Sequence, residues 1–232
     1  MFPIQDSVRS RTFPLVNWLL IAINTFVFFF EVSLPESELE RLILTMGIVP
    51  QNINLANPLT WMPFFSHMFL HGGWFHLLSN LWILFIFGDN VEDRMGSSRY
   101  LVFYILGGIT AGLLQTILAA NPSIPAVGAS GAIAAVMGAY FLFYPRAQVN
   151  TLIPVFIFPW FIQVPAVVFL GLWFVSQLFS GFLSLVSAAG MQMGGVAWFA
   201  HIGGFVFGLI MANIFTIGRK KPHSYADEYY PW

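Results

Sequence analysis

Residues 14–33 read PLVNWLLIAINTFVFFFEVS, a run in which Glu31 is the only charged side chain. An α-helix rises 1.5 Å per residue, so about 20 mostly apolar residues cross the roughly 30 Å hydrocarbon core of a bilayer. The run is read as a transmembrane helix. It is too long for the apolar core of a cleaved signal peptide and is expected to stay as the first span. Working outward from it, five more stretches have the same character: 73–91, 99–119, 129–145, 163–186 and 194–216.

Composition supports that reading. Hydrophobic residues make up 58% of the chain and charged residues 8%, with a mean hydropathy of +0.77. A soluble domain carries roughly 25% charged residues, so this chain could not cover a water-facing surface. The expected fold class is all-α, a polytopic membrane protein with six transmembrane helices. The expected organisation is a cytoplasmic N-terminal segment 1–13, a membrane domain 14–216 with an outer loop 34–72, and a cytoplasmic tail 217–232. A net charge of −1 leaves no basic face for a nucleic-acid partner. The absence of cysteine excludes disulfides, thiol catalysis and the usual zinc cages.

Orientation follows from the distribution of Lys and Arg. With both termini cytoplasmic, Arg9, Arg11, Arg94, Arg99, Arg146, Arg219, Lys220 and Lys221 fall inside, and only Arg41 falls outside. The fourth stretch is short and rich in small residues (Gly131, Ala132, Ala134, Ala135, Gly138, Ala139), which places it in the middle of the bundle. In the outer loop, Leu39, Leu42, Ile43 and Met46 have the spacing of an amphipathic helix. The apolar segments Trp61–Phe65 and Met68–Leu70 are expected to lie on or partly in the outer leaflet. Residues 146–162, with Pro154 and Pro159, are expected to form an interfacial connection on the inner side. The chain carries little beyond these spans, which points to the cytoplasmic (inner) membrane of a prokaryote.

Polar residues inside spans are expensive and are functional candidates by default. Asn17, Asn24 and Gln177 are read as packing residues that hydrogen-bond neighbouring helices. His76, Asn80, Ser130 and His201 differ, because the second, fourth and sixth spans all start outside and bring them to similar depth. His76 and Asn80, four apart, share one helix face. His201 is expected about two turns into its helix. Ser130 sits in Gly128-Ala129-Ser130-Gly131, where small neighbours let a substrate backbone approach its hydroxyl. A serine hydroxyl attacks a carbonyl only when a base takes its proton, and His201 can be that base. The oxyanion so formed needs donors, which His76, Asn80 and the backbone N–H of Ser130 can supply. Asp89, Glu92 and Asp93 lie at the inner end, too far to orient His201. The arrangement reads as a dyad.

These residues fall in four ordered blocks. The first is His67-Met-Phe-Leu-His71-Gly-Gly-Trp-Phe-His76-Leu-Leu-Ser-Asn80, and the second is Gly88 with Val91-Glu92-Asp93-Arg94-Met95-Gly96. Gly128-Ala-Ser-Gly131 follows, then Ala200-His201-Ile-Gly-Gly204 with Gly208. From about Thr60 to Gly208 the chain resembles the rhomboid intramembrane serine proteases. The resemblance implies a six-helix rhomboid-like bundle with a water-accessible cavity opening outward. It implies Ser130 as nucleophile, His201 as general base, His76 and Asn80 as oxyanion-stabilising groups, and Gly128 lining the site beside the nucleophile. Gly204 and Gly208 would let the sixth helix pack tightly on the fourth. Implied partners are membrane lipid and transmembrane protein substrates, cut near the outer face after a small residue. No cofactor and no metal are implied. His67 and His71 match family positions in the loop, where structural hydrogen bonding is expected. Glu92 and Arg94 match at the inner end, where a loop anchor is expected ahead of a regulatory role. The chain departs from some relatives in having Trp61 followed by Met62 where they have a Trp-Arg pair.

Three other classes compete with this reading. A metal site could draw on His67, His71, His76 and His201, but no acidic residue lies at that depth to activate a metal-bound water. A non-catalytic relative that binds membrane clients would lack the serine or the histidine. A transporter would call for charged pathway residues or broken helices in two repeated halves. For substrate gating, Phe169, Trp173, Phe174 and the loop 187–193 are the candidates.

Overall fold

The computed structural model describes residues 1–54, 56–155, 158–186 and 196–219. Among the described residues eight α-helices follow in order: α1 (Leu15–Ser33), α2 (Glu36–Met46), α3 (Pro63–Ser66), α4 (Trp74–Met95), α5 (Ser97–Leu118), α6 (Ser130–Phe143), α7 (Ala166–Val186) and α8 (Trp198–Met211). Three strands accompany them: β1 (Phe2–Asp6), β2 (Gln148–Val155) and β3 (Phe158–Pro165). Among the described residues, α1, α5 and α7 are each long and apolar enough to cross a membrane. A fourth crossing is available if Pro58–Phe69 and Trp74–Met95, bent by 80° at their junction, count as one span. The flanks of these helices are apolar and exposed, as at Phe26, Phe30, Leu172, Phe179 and Phe182, which is how a lipid-facing surface reads.

Helices α6 and α8 are apolar but have only 14 residues each, about 21 Å of rise. Helix α6 sits in the interior, and α8 packs along it with Val206 and Ile210 left exposed. Every residue from Gly131 to Tyr140 is buried, and the small side chains there let neighbouring backbones close in. A Cβ on Gly204 would collide with the carbonyl oxygen of Gly131, and one on Gly208 with that of Ala135. Both contacts join α8 to α6 at backbone distance, as the family resemblance implied for these two glycines. At 14 residues each, α6 and α8 run a shorter distance than the 22-residue α4 and α5.

The opposite end is tied together by hydrogen bonds. The buried carboxylate of Glu92 accepts from the backbone N–H groups of Val16 (3.0 Å) and Asn17 (2.7 Å) and from Ser97 Oγ (2.6 Å). It thereby caps the N-terminus of α1, where orphan donors and the helix dipole favour an anion. Glu92 is a structural anchor, set in the last turn of α4 and tying the starts of α1 and α5 rather than a loop. The amphipathic outer-loop helix is present as α2, with Leu39, Leu42, Ile43 and Met46 half-buried along one side. Beyond it Phe64, Met68 and Leu70 turn inward, while Trp61, Met62 and Phe65 stay exposed.

The all-α expectation needs one correction, because residues 146–162 are largely strand and not an irregular connection. β2 is central in an antiparallel sheet of order β1-β2-β3. Val149 and Thr151 are buried at alternate positions, the period of a strand with one covered face. The prolines that hid this are placed where neither is needed as a donor. Pro154 and Pro159 stand opposite each other in the ladder, and β1 pairs no further along β2 than Leu152. The sheet is fastened to the bundle through β1: Trp82 Nε1 donates to the carbonyl of Pro3 at 2.7 Å, and Asp6 accepts from Tyr140 and Asn90.

Candidate active site

Ser130 is the first residue of α6, directly after a loop whose backbone is pinned on both sides. Ile48 and Ala126 exchange two hydrogen bonds (3.0 and 2.7 Å), and Gly128 N–H donates to the carbonyl of His67 at 2.9 Å. Gly128 has a φ of 128°, a conformation that side-chain-bearing residues rarely adopt. It also lies against the ring of His76, where an added Cβ would come within 2.6 Å of Cε1 and Nε2. Only glycine meets both demands, and the tight fit sets Ser130 next to His76 and Asn80.

His201 is the fourth residue of α8, in the first turn. The expectation of two turns' depth assumed that the helix began at residue 194, but Val196 and Ala197 are not helical. His201 Nε2 lies 2.8 Å from Ser130 Oγ, and Nδ1 lies 2.8 Å from Gln177 Oε1. The ring is buried at 9% exposure between two tryptophans. Trp173 is tilted 35° over it with centroids 5.8 Å apart, and Trp198 meets it edge-on.

Ser130, His201, His76 and Asn80 all line one cavity of about 940 Å³, together with Ser79 and Gln115. Phe75, Val127, Met137, Trp173 and Trp198 supply its apolar walls. The starts of α4, α6 and α8 therefore converge on one space. Asn80 Nδ2 is buried and has no hydrogen-bond partner among the described residues, so an amide donor stands idle in the wall. Gly72 N–H reaches His76 Nδ1 over 3.4 Å, which leaves the Nε2 edge of that ring towards Gly128.

The loop histidines behave differently from each other. His67 Nδ1 bonds the carbonyl of Pro63 at 2.8 Å, a structural contact. The buried ring of His71 makes no hydrogen bond among the described residues and packs edge-on against His76, centroids 5.2 Å apart. What His71 contributes is its backbone N–H, held by the carboxylate of Glu31. Among the described residues no three His, Asp or Glu side chains gather as metal ligands, and both nitrogens of His201 are already engaged.

Two residues of the site were not found in the sequence. Gln177, read as packing, bonds His201. Gln115 Oε1 accepts the N–H of Ala200 at 3.2 Å and so holds the start of α8. Neither sits in a motif. Of the gating candidates, Trp173 lines the cavity, whereas Phe169 is buried in the core. Phe174 stacks on Phe205 with centroids 4.5 Å apart, and 187–193 lies outside the described residues.

The family profile of the Rhomboid domain matches residues 58–217 of this chain. The chain belongs to the rhomboid family. It is similar to the Rhomboid protease GlpG of Salmonella paratyphi A and to that of Salmonella typhi. Each is 27% identical over 220 residues, an alignment spanning 95% of this chain and 70% of the relative. As a rhomboid, the chain is an integral membrane protein and an enzyme, a serine protease of the intramembrane class.

Proposed function

We propose that this rhomboid hydrolyses peptide bonds in or near the transmembrane segments of membrane proteins through a Ser130–His201 dyad. The observation that carries the proposal is the 2.8 Å contact between Ser130 Oγ and His201 Nε2 at the wall of a 940 Å³ cavity. His201 Nε2 takes the hydroxyl proton as Oγ attacks the carbonyl carbon. The tetrahedral intermediate places a negative oxygen near the start of α6, where the Ser130 N–H and the helix dipole favour it. The idle Nδ2 of Asn80 and the Nε2 edge of His76 supply further donors. The protonated His201 then gives its proton to the leaving amine, and an acyl-enzyme remains on Ser130. Water, activated by His201 in turn, releases the second product. Every step is proton transfer and acyl transfer, so the reading calls for no cofactor and no metal.

The reading includes a topology: α1, α4, α5, α6, α7 and α8 as six spans, with both termini cytoplasmic. Eight of the nine Lys and Arg residues then face the cytoplasm, under the positive-inside rule. Support also comes from α4, whose start lines the cavity and whose last turn holds the Glu92 anchor, about 24 Å apart along the axis. The site then opens on the outer side of a bacterial inner membrane. In this topology 1–13 and 217–232 flank the membrane domain 14–216 on the cytoplasmic side.

The test is cleavage of a single-span membrane substrate by purified protein in proteoliposomes. Ser130→Ala and His201→Ala are each expected to abolish cleavage, and Ser130→Ala, which removes a single oxygen, should leave the melting temperature within a few degrees. Cleavage at the wild-type rate by Ser130→Ala would refute the assignment.

A further inference from the structure

A dyad leaves one question open, namely what decides which nitrogen of His201 carries the proton. His201 Nε2 can accept from Ser130 Oγ–H only if the neutral ring is protonated on Nδ1. Nothing acidic faces Nδ1; its partner is Gln177 Oε1, at 2.8 Å.

The amide of Gln177 is itself held in one orientation. Its Nε2 donates to the carbonyl of Trp173 at 3.1 Å and to Ser176 Oγ at 2.9 Å. Ser176 has spent its own proton on that same Trp173 carbonyl, at 2.6 Å, so its oxygen is left as an acceptor. Both amide hydrogens are thereby used against groups that can only accept. A flipped amide would set its carbonyl against the carbonyl of Trp173. The oxygen must therefore face His201, and His201 Nδ1 must be the donor.

Building on the Ser130–His201 reading, we propose that Gln177 is the positioning residue of this protease: a neutral third member that fixes the Nδ1–H tautomer of His201. The choice of an amide has a physical reason. A carboxylate in this apolar interior would have to be desolvated, whereas an amide orients the ring without bringing a charge. When His201 becomes an imidazolium during attack, the Nδ1–H···O bond strengthens. The Trp173 face, with its centroid 5.8 Å from that of His201, then lies within reach for a cation–π contact.

The experiment compares wild type, Gln177→Leu, Gln177→Glu and Ser130→Ala in one cleavage assay on detergent-solubilised full-length chain, with a melting curve for each. Gln177→Leu keeps the bulk and removes the acceptor. Its kcat is expected to fall about 10- to 100-fold, a part of the general-base contribution, with KM within about 2-fold of wild type. Gln177→Glu, held as the neutral acid by the apolar surroundings, keeps a carbonyl acceptor towards Nδ1 and a hydroxyl donor towards the Trp173 carbonyl, and is expected to recover most of that loss. A Gln177→Leu enzyme with wild-type kcat would overturn the proposal. Equal loss in both variants, or losses that track a lowered melting temperature, would reduce Gln177 to a structural role and overturn it as well. Ser130→Ala separates the two readings: activity in that variant sinks the dyad, whereas an inactive Ser130→Ala beside an active Gln177→Leu sinks only the Gln177 proposal.

A second measurement needs no variant of Gln177. Nitrogen NMR of wild-type protein with ¹⁵N-labelled histidine, assigned by loss of the signal in His201→Ala, is expected to show Nδ1 protonated and Nε2 bare. The reverse tautomer would contradict the proposal.

Discussion

Asn80 is the residue whose environment says most about the chemistry, because its buried amide nitrogen has a desolvation cost that no described residue offsets. A group of this kind stabilises a species that forms only during turnover. Asn80→Ala is therefore expected to lower kcat by about 100- to 1000-fold, the range for losing one oxyanion donor, with KM nearly unchanged. A change confined to KM in a steady-state assay would contradict that role. Asp6 supports a second prediction at this scale, at the far end of the molecule. Burial raises its carboxyl pKa to about 8, the hydrogen bond from Tyr140 pulls the other way, and nearby Asp89 adds to the rise. The folded protein thus keeps a proton that the unfolded chain releases near pH 4. Rising pH favours the unfolded chain, so this contribution to stability declines between about pH 4 and pH 8. Melting temperatures measured from pH 5 to 9 should show that decline in wild type and a flatter profile in Asp6→Asn. Equal slopes would refute it. His201 and Ser130 were legible in the sequence because each sits in a short motif on its own span. Gln177 was not, since 24 residues separate it from His201 and only the packing of α7 on α8 brings the amide to the ring.

Among the elements, α6 and α8 form the pair on which the geometry depends. Their backbones approach so closely that the nucleophile and its base are held by main-chain contact and not by long side chains. Gly208→Val places a branched side chain against the Ala135 carbonyl and is expected to destabilise by about 1–3 kcal/mol, as overpacking does. Activity should fall further than the lost folded fraction accounts for, because α8 must shift and carry His201 away from Ser130. Cleavage per folded molecule, measured well below the melting temperature, checks this; an undiminished specific activity would contradict it. The long apolar helices were legible from hydropathy alone, and α2 from its spacing. The sheet was not. Pro154 and Pro159 read as breaks in a loop, and the alternation of Val149 and Thr151 has meaning only once β1 and β3 flank β2. Strand pairing between residues 2–6 and 148–155 is a long-range fact that no local pattern carries.

For the whole molecule, the account joins a bundle walled by lipid to a reaction that consumes water. The short helices α6 and α8 resolve that conflict. They begin at a cavity with apolar walls and a few polar groups, which three helix starts reach and the loop before Gly128 lines in part. The end opposite the site, bound through Glu92 and the sheet, serves to hold α1, α4 and α6 in register. Whether Ser130 in this setting is an activated nucleophile is the central claim. Its most direct test is to treat the purified, folded protein with a fluorophosphonate and locate the adduct by peptide mass spectrometry. The account predicts one adduct, on Ser130, formed by wild type and lost in His201→Ala. An adduct on another serine, or an equally rapid adduct on Ser130 in His201→Ala, would contradict it.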